Sequence, residues 1–170
     1  DQHYRNNKRA WRLSGEDLSV LQRLTAWRER RAMDEDVPRN RFVWDEHLIE
    51  FARESELRAE KVWEALPKPI ARRYADLLVA EHLEGRNAEP LERLAQPLSQ
   101  RQGAVSKRLK ALARESAEKL AFSPELLARK RDIEECIRHF HHTGKLCSAY
   151  QGWRHALVVE QFKAILEAEA

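Results

Sequence analysis

Apolar residues recur every three or four positions along most of this 170-residue chain, and Gly, Pro and Asn interrupt the recurrence at intervals. This spacing is typical of helices with one buried face. No segment shows the alternation of apolar and polar residues that indicates a half-buried strand. The pattern therefore predicts an all-α fold without a sheet. Hydrophobic residues make up 42% of the chain, which is enough to build a core.

Two serine residues are predicted to begin long helices. Ser14 with Asp17, and Ser99 with Gln102, have the spacing of a capping box, in which each side chain bonds the backbone N–H of the other residue. Apolar residues at helical spacing follow both serines. The first box therefore predicts a helix over 15–33, and the second predicts another helix that starts just after Ser99.

A third start signal is Ser123 followed by Pro124, the preferred order of an N-cap and a first helical position. The apolar residues beyond it predict one helix that continues to Gly144. Within that helix Lys130 would fall in the apolar arc, so either its stem lies along apolar surface while its ammonium reaches water, or its charge finds a partner. On the preceding helix, Leu120 is expected to share the apolar face.

Residues 85–98 divide the chain, because this segment contains Gly, Asn and two Pro and only a short apolar stretch. We therefore expect a connector at 1–13, a first helical bundle at 14–88 and a second at 89–170. Bundles of this size are typical of small all-α domains.

The net formal charge of +3 hides an uneven distribution of charge along the chain. Residues 1–13 carry a net charge of +3, residues 45–95 a net charge of −4, and residues 96–140 a net charge of +4. Basic regions favour anionic partners such as nucleic acid, whereas the acidic middle favours a basic surface on another domain or protein. The charge pattern therefore leaves both kinds of partner open.

The main binding candidates lie on the helix predicted after Ser99. Lys107, Lys110 and Arg114 fall within ~60° of one another on a helical projection, opposite the apolar face. Such a row of cations can follow the phosphates of a nucleic acid. Alternatively, the row is a solvated face with pairs such as Arg114 with Glu118. Four further arginines are secondary candidates for phosphate contact: Arg129, Arg131, Arg39 and Arg41.

The sequence contains no group of residues that predicts catalysis. Acidic residues cluster at 34–36 and 45–46, but these positions are predicted helix ends, where carboxylates usually cap helices or stay solvated. A two-metal nuclease site instead needs inward-facing acids from several elements. The sequence also lacks Gly-rich phosphate loops and the nucleophile elbow. We therefore assign no catalytic residue to this chain.

Five Cys and His residues within twelve positions raise the question of a zinc site: Cys136, His139, His141, His142 and Cys147. Cys136 falls near the apolar arc of its helix, and the three histidines project in different directions where that helix ends. We therefore expect a half-buried cysteine beside a histidine-rich helix end, and no metal or other cofactor in this chain. Two cysteines cannot supply a disulfide framework, so reduced thiols in a cytoplasmic protein are expected.

Arg28 falls within the apolar arc of the first predicted helix. We expect a structural role, with its guanidinium bonded to a nearby acid such as Asp36 or to backbone carbonyls. Trp27, Trp63 and Trp153 are expected to be core residues rather than stacking platforms for bases.

Two further observations concern the whole chain. No stretch approaches the ~18 apolar residues that a membrane-spanning helix needs, and the N-terminal residues lack the apolar region of a signal peptide. The only methionine is Met33, within a predicted helix, which indicates a piece of a longer or processed protein.

Two strings of residues resemble a known family. The first string comprises nine residues: Trp27, Arg28, Ala32, Asp36, Pro38, Val43, Asp45, Leu48 and Ala52. It resembles the first half of an HRDC domain, a small helical module of the HRDC-like or SAM-like fold that RecQ-type helicases share with ribonuclease D. The second string comprises residues 122–133 with Gly152, Trp153 and Arg154. It resembles the second, more divergent HRDC-like domain of bacterial ribonuclease D.

The resemblance implies a function as well as a fold. Members of the ribonuclease D family are 3′→5′ exoribonucleases that trim tRNA precursors and other structured RNA. Their chemistry resides in an N-terminal DEDD-type domain that uses two divalent metals, and none of that domain is present here. The resemblance thus implies an accessory region that is not an enzyme alone. Its partners would be structured RNA and its own N-terminal exonuclease domain.

Two other functions remain open at this point. The acidic middle could make the chain a protein-interaction or domain-positioning module without direct RNA contact. A self-contained enzyme is the third alternative. Ala65 and Ala75 stand where first HRDC domains usually carry Gly, so the binding residues named above rest on charge geometry and not on the family pattern.

Overall fold

The computed structural model describes residues 2–150 and 155–168. Over these residues the chain is helical and has no strand, as predicted. Eight α-helices are present in the described part: α1 Gly15–Asp34, α2 Asp45–Arg53, α3 Ala59–Ala65, α4 Lys68–Arg86, α5 Gln100–Lys119, α6 Pro124–Leu127, α7 Lys130–Thr143 and α8 Glu160–Glu167. Short 3₁₀ turns occupy His3–Asn6, Ala10–Arg12, Arg39–Arg41 and Ser148–Tyr150, and a π-helical turn at His155–Val159 precedes α8. No helix in the described ranges has both the length and the apolar character that crossing a bilayer requires.

The chain forms two compact units, Asp1–Gln96 and Pro97–Ala170. The division lies later than the expected one after residue 88, because the segment that follows α4 packs on the first unit. The Leu91 N–H donates to the Gly15 carbonyl at 3.0 Å. The Ser19 hydroxyl donates to the Glu89 carbonyl at 2.7 Å. These bonds hold the segment beside the start of α1.

Residues before α1 belong to the first unit and do not form a separate connector, contrary to the expectation for 1–13. Tyr4, Ala10 and Leu13 are buried in its core, and Leu13 is only 1% exposed. The Asn7 side-chain amide donates to the Asp45 carbonyl at 3.2 Å, which fastens this segment to the start of α2. The short 3₁₀ turns place these apolar side chains on one side, a pattern too brief to give a helical signal in the sequence.

In the first unit α1 packs along α4, with α2 against α1 and α3 against α4. The two helices approach closely at Gly85 of α4, where an added Cβ would lie 2.6 Å from the Cα of Val20 on α1. Trp27 is buried, as predicted, with its ring edge-on to the Tyr74 ring at 5.3 Å between centroids. Trp63 is 43% exposed, so its predicted core position is wrong. Trp153 lies outside the described residues.

Both predicted capping boxes are confirmed. The Asp17 N–H donates to the Ser14 hydroxyl at 3.1 Å, and the Ser14 N–H donates to the Asp17 carboxylate at 3.4 Å. The Gln102 N–H donates to the Ser99 hydroxyl at 3.2 Å, and the Ser99 N–H donates to the Gln102 side chain at 3.0 Å. The two boxes begin α1 and α5, and each satisfies N–H groups that a helix start otherwise leaves unpaired.

In the second unit α6, α7 and α8 pack against α5. The single helix predicted from Pro124 to Gly144 is wrong, because α6 ends at Leu127 and α7 begins at Lys130. Leu127 and Ile133 are both fully buried. On one continuous helix they would point about 120° apart, so the break lets both reach the same core. Lys130 therefore starts α7, and its side chain is 74% exposed. Its ammonium lies 3.8 Å from a Glu134 carboxylate oxygen, so its charge has a partner, which is one of the two expected outcomes.

The expected position of Leu120 on the buried face of α5 is also wrong. The helix ends at Lys119, and Leu120 is 41% exposed. Ala121 adopts a positive φ of 54°, and the Phe122 N–H donates to the Ala117 carbonyl at 2.9 Å. This left-handed ending stops the helix before Leu120 can take up a core position.

Candidate nucleic-acid interface

The orientation of α5 is set by the side chains that it buries: Val105, Ser106, Leu109, Ala113 and Ala117. Lys107, Lys110 and Arg114 lie outside this buried arc and within about 60° of one another around the helix axis. Lys107 and Arg114 are exposed, and Lys110 is half-buried at the border of the arc. The three residues span about 10 Å along the helix. We call them the α5 row.

One member of the α5 row has an acidic partner. Arg114 Nε lies 3.0 Å from a Glu118 carboxylate oxygen, and the two side chains are 74% and 64% exposed. An exposed pair at this spacing contributes only about 0.3–0.5 kcal/mol, so a phosphate can displace Glu118 at little cost. Lys107 and Lys110 have no acidic partner within the described part of the chain. The row therefore presents three cations that are available to an anion.

Arg129 and Arg131 lie at the start of α7 in the same unit. Arg129 is the N-cap residue, with an extended backbone, and Arg131 is the second residue of the helix. Both side chains are exposed, and neither has an ion-pair partner among the described residues. The N-terminal end of a helix carries a partial positive charge, which adds to that of the two guanidinium groups. The two guanidinium groups favour an anion at this end of α7, whereas Asp132 in the same turn opposes one. The start of α7 is a separate element from the α5 row.

Arg39 and Arg41, predicted together, belong to the first unit and line two different grooves. Arg39 lines an open cleft of about 720 Å³ that is also bordered by Lys8, Arg9 and Trp44. Arg41 lines a smaller groove of about 270 Å³ elsewhere in the same unit. The structure therefore does not bring Arg39 and Arg41 into one groove of the first unit.

The floor of the larger cleft contains Arg28. Its Nη1 donates to the Val43 carbonyl at 2.9 Å and to Asp45 Oδ1 at 2.8 Å, and the residue is 4% exposed. The predicted bond to a backbone carbonyl is confirmed, whereas the acidic partner is Asp45 rather than Asp36. Asp36 instead lies beyond the end of α1 with a positive φ of 49°. Arg28 thus joins α1 to the segment that leads into α2.

Comparison with known proteins identifies part of the first unit. Residues 17–81 match the HRDC domain family. Residues 17–81 are an HRDC domain. The HRDC domain contains Arg39, Arg41 and Arg28, whereas Lys8 and Arg9 precede it and the α5 row and the start of α7 follow it.

The chain is also similar, over most of its length, to proteins named ribonuclease D. It is 31% identical to ribonuclease D of Pseudomonas paraeruginosa, a match over 89% of this chain and 42% of that protein. It is 31% identical to ribonuclease D of Musicola paradisiaca, over 98% of this chain and 46% of that protein. The chain therefore spans less than half the length of these curated relatives.

The chain is also similar to a solved structure of a ribonuclease D. The crystal structure of Escherichia coli RNase D, described as an exoribonuclease involved in structured RNA processing, matches with a TM-score of 0.61 and 28% sequence identity. The match covers 98% of this chain and 47% of that chain. The similarity thus extends beyond the HRDC domain into the second unit.

Beside Arg39, the HRDC domain presents one residue that the sequence did not single out. Trp44 is 62% exposed, although Phe42 and Val43 just before it are buried. A tryptophan beside a predicted helix start, in a segment that also contains Arg39 and Arg41, could have marked it. The sequence pattern alone gives no sign that the segment before the HRDC domain lies beside it.

The Cys and His cluster lies outside the HRDC domain. No group of three or more His, Cys, Asp or Glu side chains in the described ranges is arranged to hold a metal ion. Cys136 and Cys147 are both buried, and burial raises the pKa of the Cys136 thiol to about 12. His139 Nδ1 lies 2.8 Å from the Lys145 carbonyl, so this nitrogen carries a proton and donates to it. The burial of the two cysteines and the bond of His139 are contacts within the protein at the end of α7.

Proposed function

We propose that this chain is an RNA-binding accessory region of a ribonuclease D-like 3′→5′ exoribonuclease that acts in tRNA 3′ processing in the cytoplasm. The observation that carries the proposal is the α5 row: three cations on one helix face, in a chain that resembles ribonuclease D in both of its units. The RNA would be a tRNA precursor or another structured RNA. Residues 97–170 would be a second, divergent HRDC-like domain.

Each cation of the α5 row would contact a backbone phosphate. Such contacts give affinity and a steep dependence on salt, but they read little sequence information. Arg129 and Arg131 would extend the contact to the start of α7. This role suits an enzyme whose substrates share a folded shape rather than one sequence.

The chemistry would reside in an exonuclease domain beyond this chain, together with the divalent metal ions of the family. The described residues do not fit a metal pair, since they offer no group of three metal-ligating side chains. This chain would instead hold the RNA and contact its own exonuclease domain. It would then have no nuclease activity alone, with or without Mg²⁺ or Mn²⁺.

The proposal is tested by titrating the chain into a fluorescently labelled tRNA precursor and following anisotropy at about 50 mM and about 200 mM salt. Several phosphate contacts should cost orders of magnitude in affinity over this range. The triple variant Lys107→Glu, Lys110→Glu, Arg114→Glu should bind at least about tenfold more weakly at the lower salt concentration. Its melting temperature should fall by no more than a few degrees, because the substituted side chains lie outside the core and the exposed Arg114–Glu118 pair contributes little to stability.

A matched control makes the same change of charge elsewhere. Arg58, Lys68 and Arg72 are exposed in the first unit, within the acidic part of the sequence. Replacing these three with Glu should leave binding within about twofold of the unaltered protein if the α5 row is the interface. If both triple variants lost RNA affinity equally, the loss would be an effect of net charge and not of the α5 row. No binding to any RNA would favour the domain-positioning module, which a pull-down from nuclease-treated lysate would detect.

A further inference from the structure

The larger cleft of the first unit joins two parts of the chain. Its walls come from the HRDC domain, through Arg39 and Trp44, and from the preceding segment, through Lys8 and Arg9. The Asn7 bond to the Asp45 carbonyl holds that segment in place. A cleft of about 720 Å³ is in the size range that accommodates small ligands, and it is large enough for a nucleotide.

The charge of the cleft favours an anion. Lys8 and Arg9 are exposed and have no acidic partner in the part of the chain that the structure describes. Arg39 is 58% exposed and only 3.4 Å from a Glu29 oxygen, a distance at the outer limit of a hydrogen bond. Two acids also border the cleft: Asp45, which Arg28 neutralises, and Glu46, which is exposed. Cations therefore outnumber acids around the opening.

The indole of Trp44 is presented on a rigid support. Phe42 and Val43 before it are buried, and Asp45 after it begins α2. Arg28 bonds the Val43 carbonyl and the Asp45 carboxylate, so the residues on both sides of Trp44 are held in place. The side chain itself stays 62% exposed, which leaves a large apolar ring in contact with water. An exposed ring beside cations is the arrangement on which single-stranded nucleic acids stack their bases.

We propose that this cleft binds an unpaired nucleotide of a single-stranded RNA segment. The base stacks on Trp44, and the neighbouring phosphates contact Lys8, Arg9 and Arg39. The inference rests on the proposed function, because it assigns the single-stranded part of the RNA to the first unit. The α5 row would take phosphates of the structured part. Stacking tolerates any base, so the site would not select a sequence.

The test uses the whole chain and a labelled adenosine RNA hexamer, with a short RNA duplex as the paired comparison. Trp44→Ala should weaken hexamer binding at least about fivefold, the effect of losing one base–aromatic stack, and leave duplex binding unchanged. Its melting temperature should stay the same, since the indole is exposed. The control is Trp63→Ala, which alters another half-exposed tryptophan that does not line the cleft. It should bind the hexamer as the unaltered chain does.

Fluorescence locates the stacked base. A base on Trp44 should quench part of the tryptophan emission when the hexamer is added. In Trp44→Phe the affinity should stay within about threefold, because a phenyl ring still stacks, whereas the quenching should be lost. Quenching that persists in Trp44→Phe would place the base on another tryptophan and overturn the assignment.

The outcomes separate this inference from the function on which it rests. If Trp44→Ala binds the hexamer normally while the α5 reversal loses the tRNA precursor, the cleft assignment fails and the proposed function stands. If the unaltered chain binds neither RNA at low salt, both fail. A hexaglutamate peptide could bind as tightly as the hexamer, with the same affinity for Trp44→Ala as for the unaltered chain. The cleft would then be a general site for acidic ligands, and the inference would be overturned.

Discussion

Arg28 Nη1 donates to Asp45 Oδ1 at 2.8 Å and so ties the middle of α1 to the first residue of α2. The arginine is almost completely buried, whereas the Asp45 side chain is 53% exposed. Within the described part of the chain, Arg28 Nε has no hydrogen-bond partner, and Nη2 reaches a Glu29 oxygen at 3.4 Å. The buried charge therefore depends on the two bonds of Nη1, to Asp45 and to the Val43 carbonyl.

Asp45→Ala is expected to lower the free energy of unfolding by about 1–3 kcal/mol, because it leaves the buried guanidinium with one charged partner fewer. The matched control is Glu46→Ala, which removes the next carboxylate, exposed and without an ion-pair partner among the described residues. The control should change stability by no more than about 0.5 kcal/mol. Urea unfolding followed by tryptophan fluorescence measures both, since four of the five tryptophans lie in the first unit: Trp11, Trp27, Trp44 and Trp63. Equal losses would mean that only charge at the start of α2 matters.

Two glycine substitutions should have opposite effects on the free energy of unfolding. Gly85→Ala would place a Cβ 2.6 Å from the Val20 Cα, so α1 and α4 would have to move apart, at a cost of about 1–3 kcal/mol or more. Gly103 lies within α5 with nothing within 4 Å of an added Cβ. Gly103→Ala should therefore stabilise the second unit by about 0.5–1 kcal/mol through helix propensity. Thermal unfolding by circular dichroism would reveal both changes, and a neutral Gly85→Ala would contradict the close approach of the two helices.

Removing the carboxylate beside the α5 row should strengthen RNA binding. Glu118→Gln abolishes the charge that competes for Arg114, so affinity for the tRNA precursor should rise about two- to fivefold at low salt. Stability should change by less than about 0.5 kcal/mol, because the pair is exposed. Glu115→Gln makes the same change of charge on the same helix, and Glu115 has no ion-pair partner among the residues that the structure describes, so its effect should be smaller. An equal gain from both variants would show that only net charge is being measured.

The first unit should lose stability as the pH falls below about 6.5. Burial lowers the pKa of His82 from its ordinary value of 6.5, and its Nε2 donates to the Glu54 carbonyl at 3.0 Å. Arg86, which also bonds that carbonyl, disfavours a second positive charge nearby. Because the unfolded chain takes up this proton first, the stabilising contribution is complete above pH 6.5. It is lost as the pH falls toward the lowered pKa of the folded state.

His82→Gln is the variant that isolates this effect, since an amide can still donate to the Glu54 carbonyl but does not titrate. Urea unfolding at about pH 7, 6 and 5 should show a smaller decline in the variant than in the unaltered chain. The comparison of slopes removes the contribution of the other titrating groups, which both proteins share. Parallel slopes would show that another group controls the acid sensitivity.

The helix starts were predictable because they depend on neighbours in the sequence. Ser14 and Ser99 each find their capping partner three residues later, so the local pattern determines the contact. The break between α6 and α7 was not predictable in this way. It depends on the burial of both Leu127 and Ile133 in one core. A helical projection of the sequence does not show which residues must reach the same core.

The same distinction applies to the candidate sites. The α5 row was recognisable from the sequence because its three cations lie on one helix, whose periodicity alone puts them on one face. The cleft was not recognisable, because Lys8 and Trp44 are far apart in the chain and meet only when the first residues pack beside α2. Arg39 and Arg41 show the reverse case. They are close in the sequence and were predicted together, but they line different grooves.

The burial of Tyr4, Ala10 and Leu13 bears on how fragments of this protein should be cut for expression. A fragment limited to the family match at 17–81 would discard these side chains, each of which fills space in the core, and would leave apolar surface open to water. Such a fragment is expected to aggregate or to unfold at low denaturant concentrations. It would also lack one wall of the cleft, so a negative RNA titration with it would say nothing about the intact unit, which extends to Gln96.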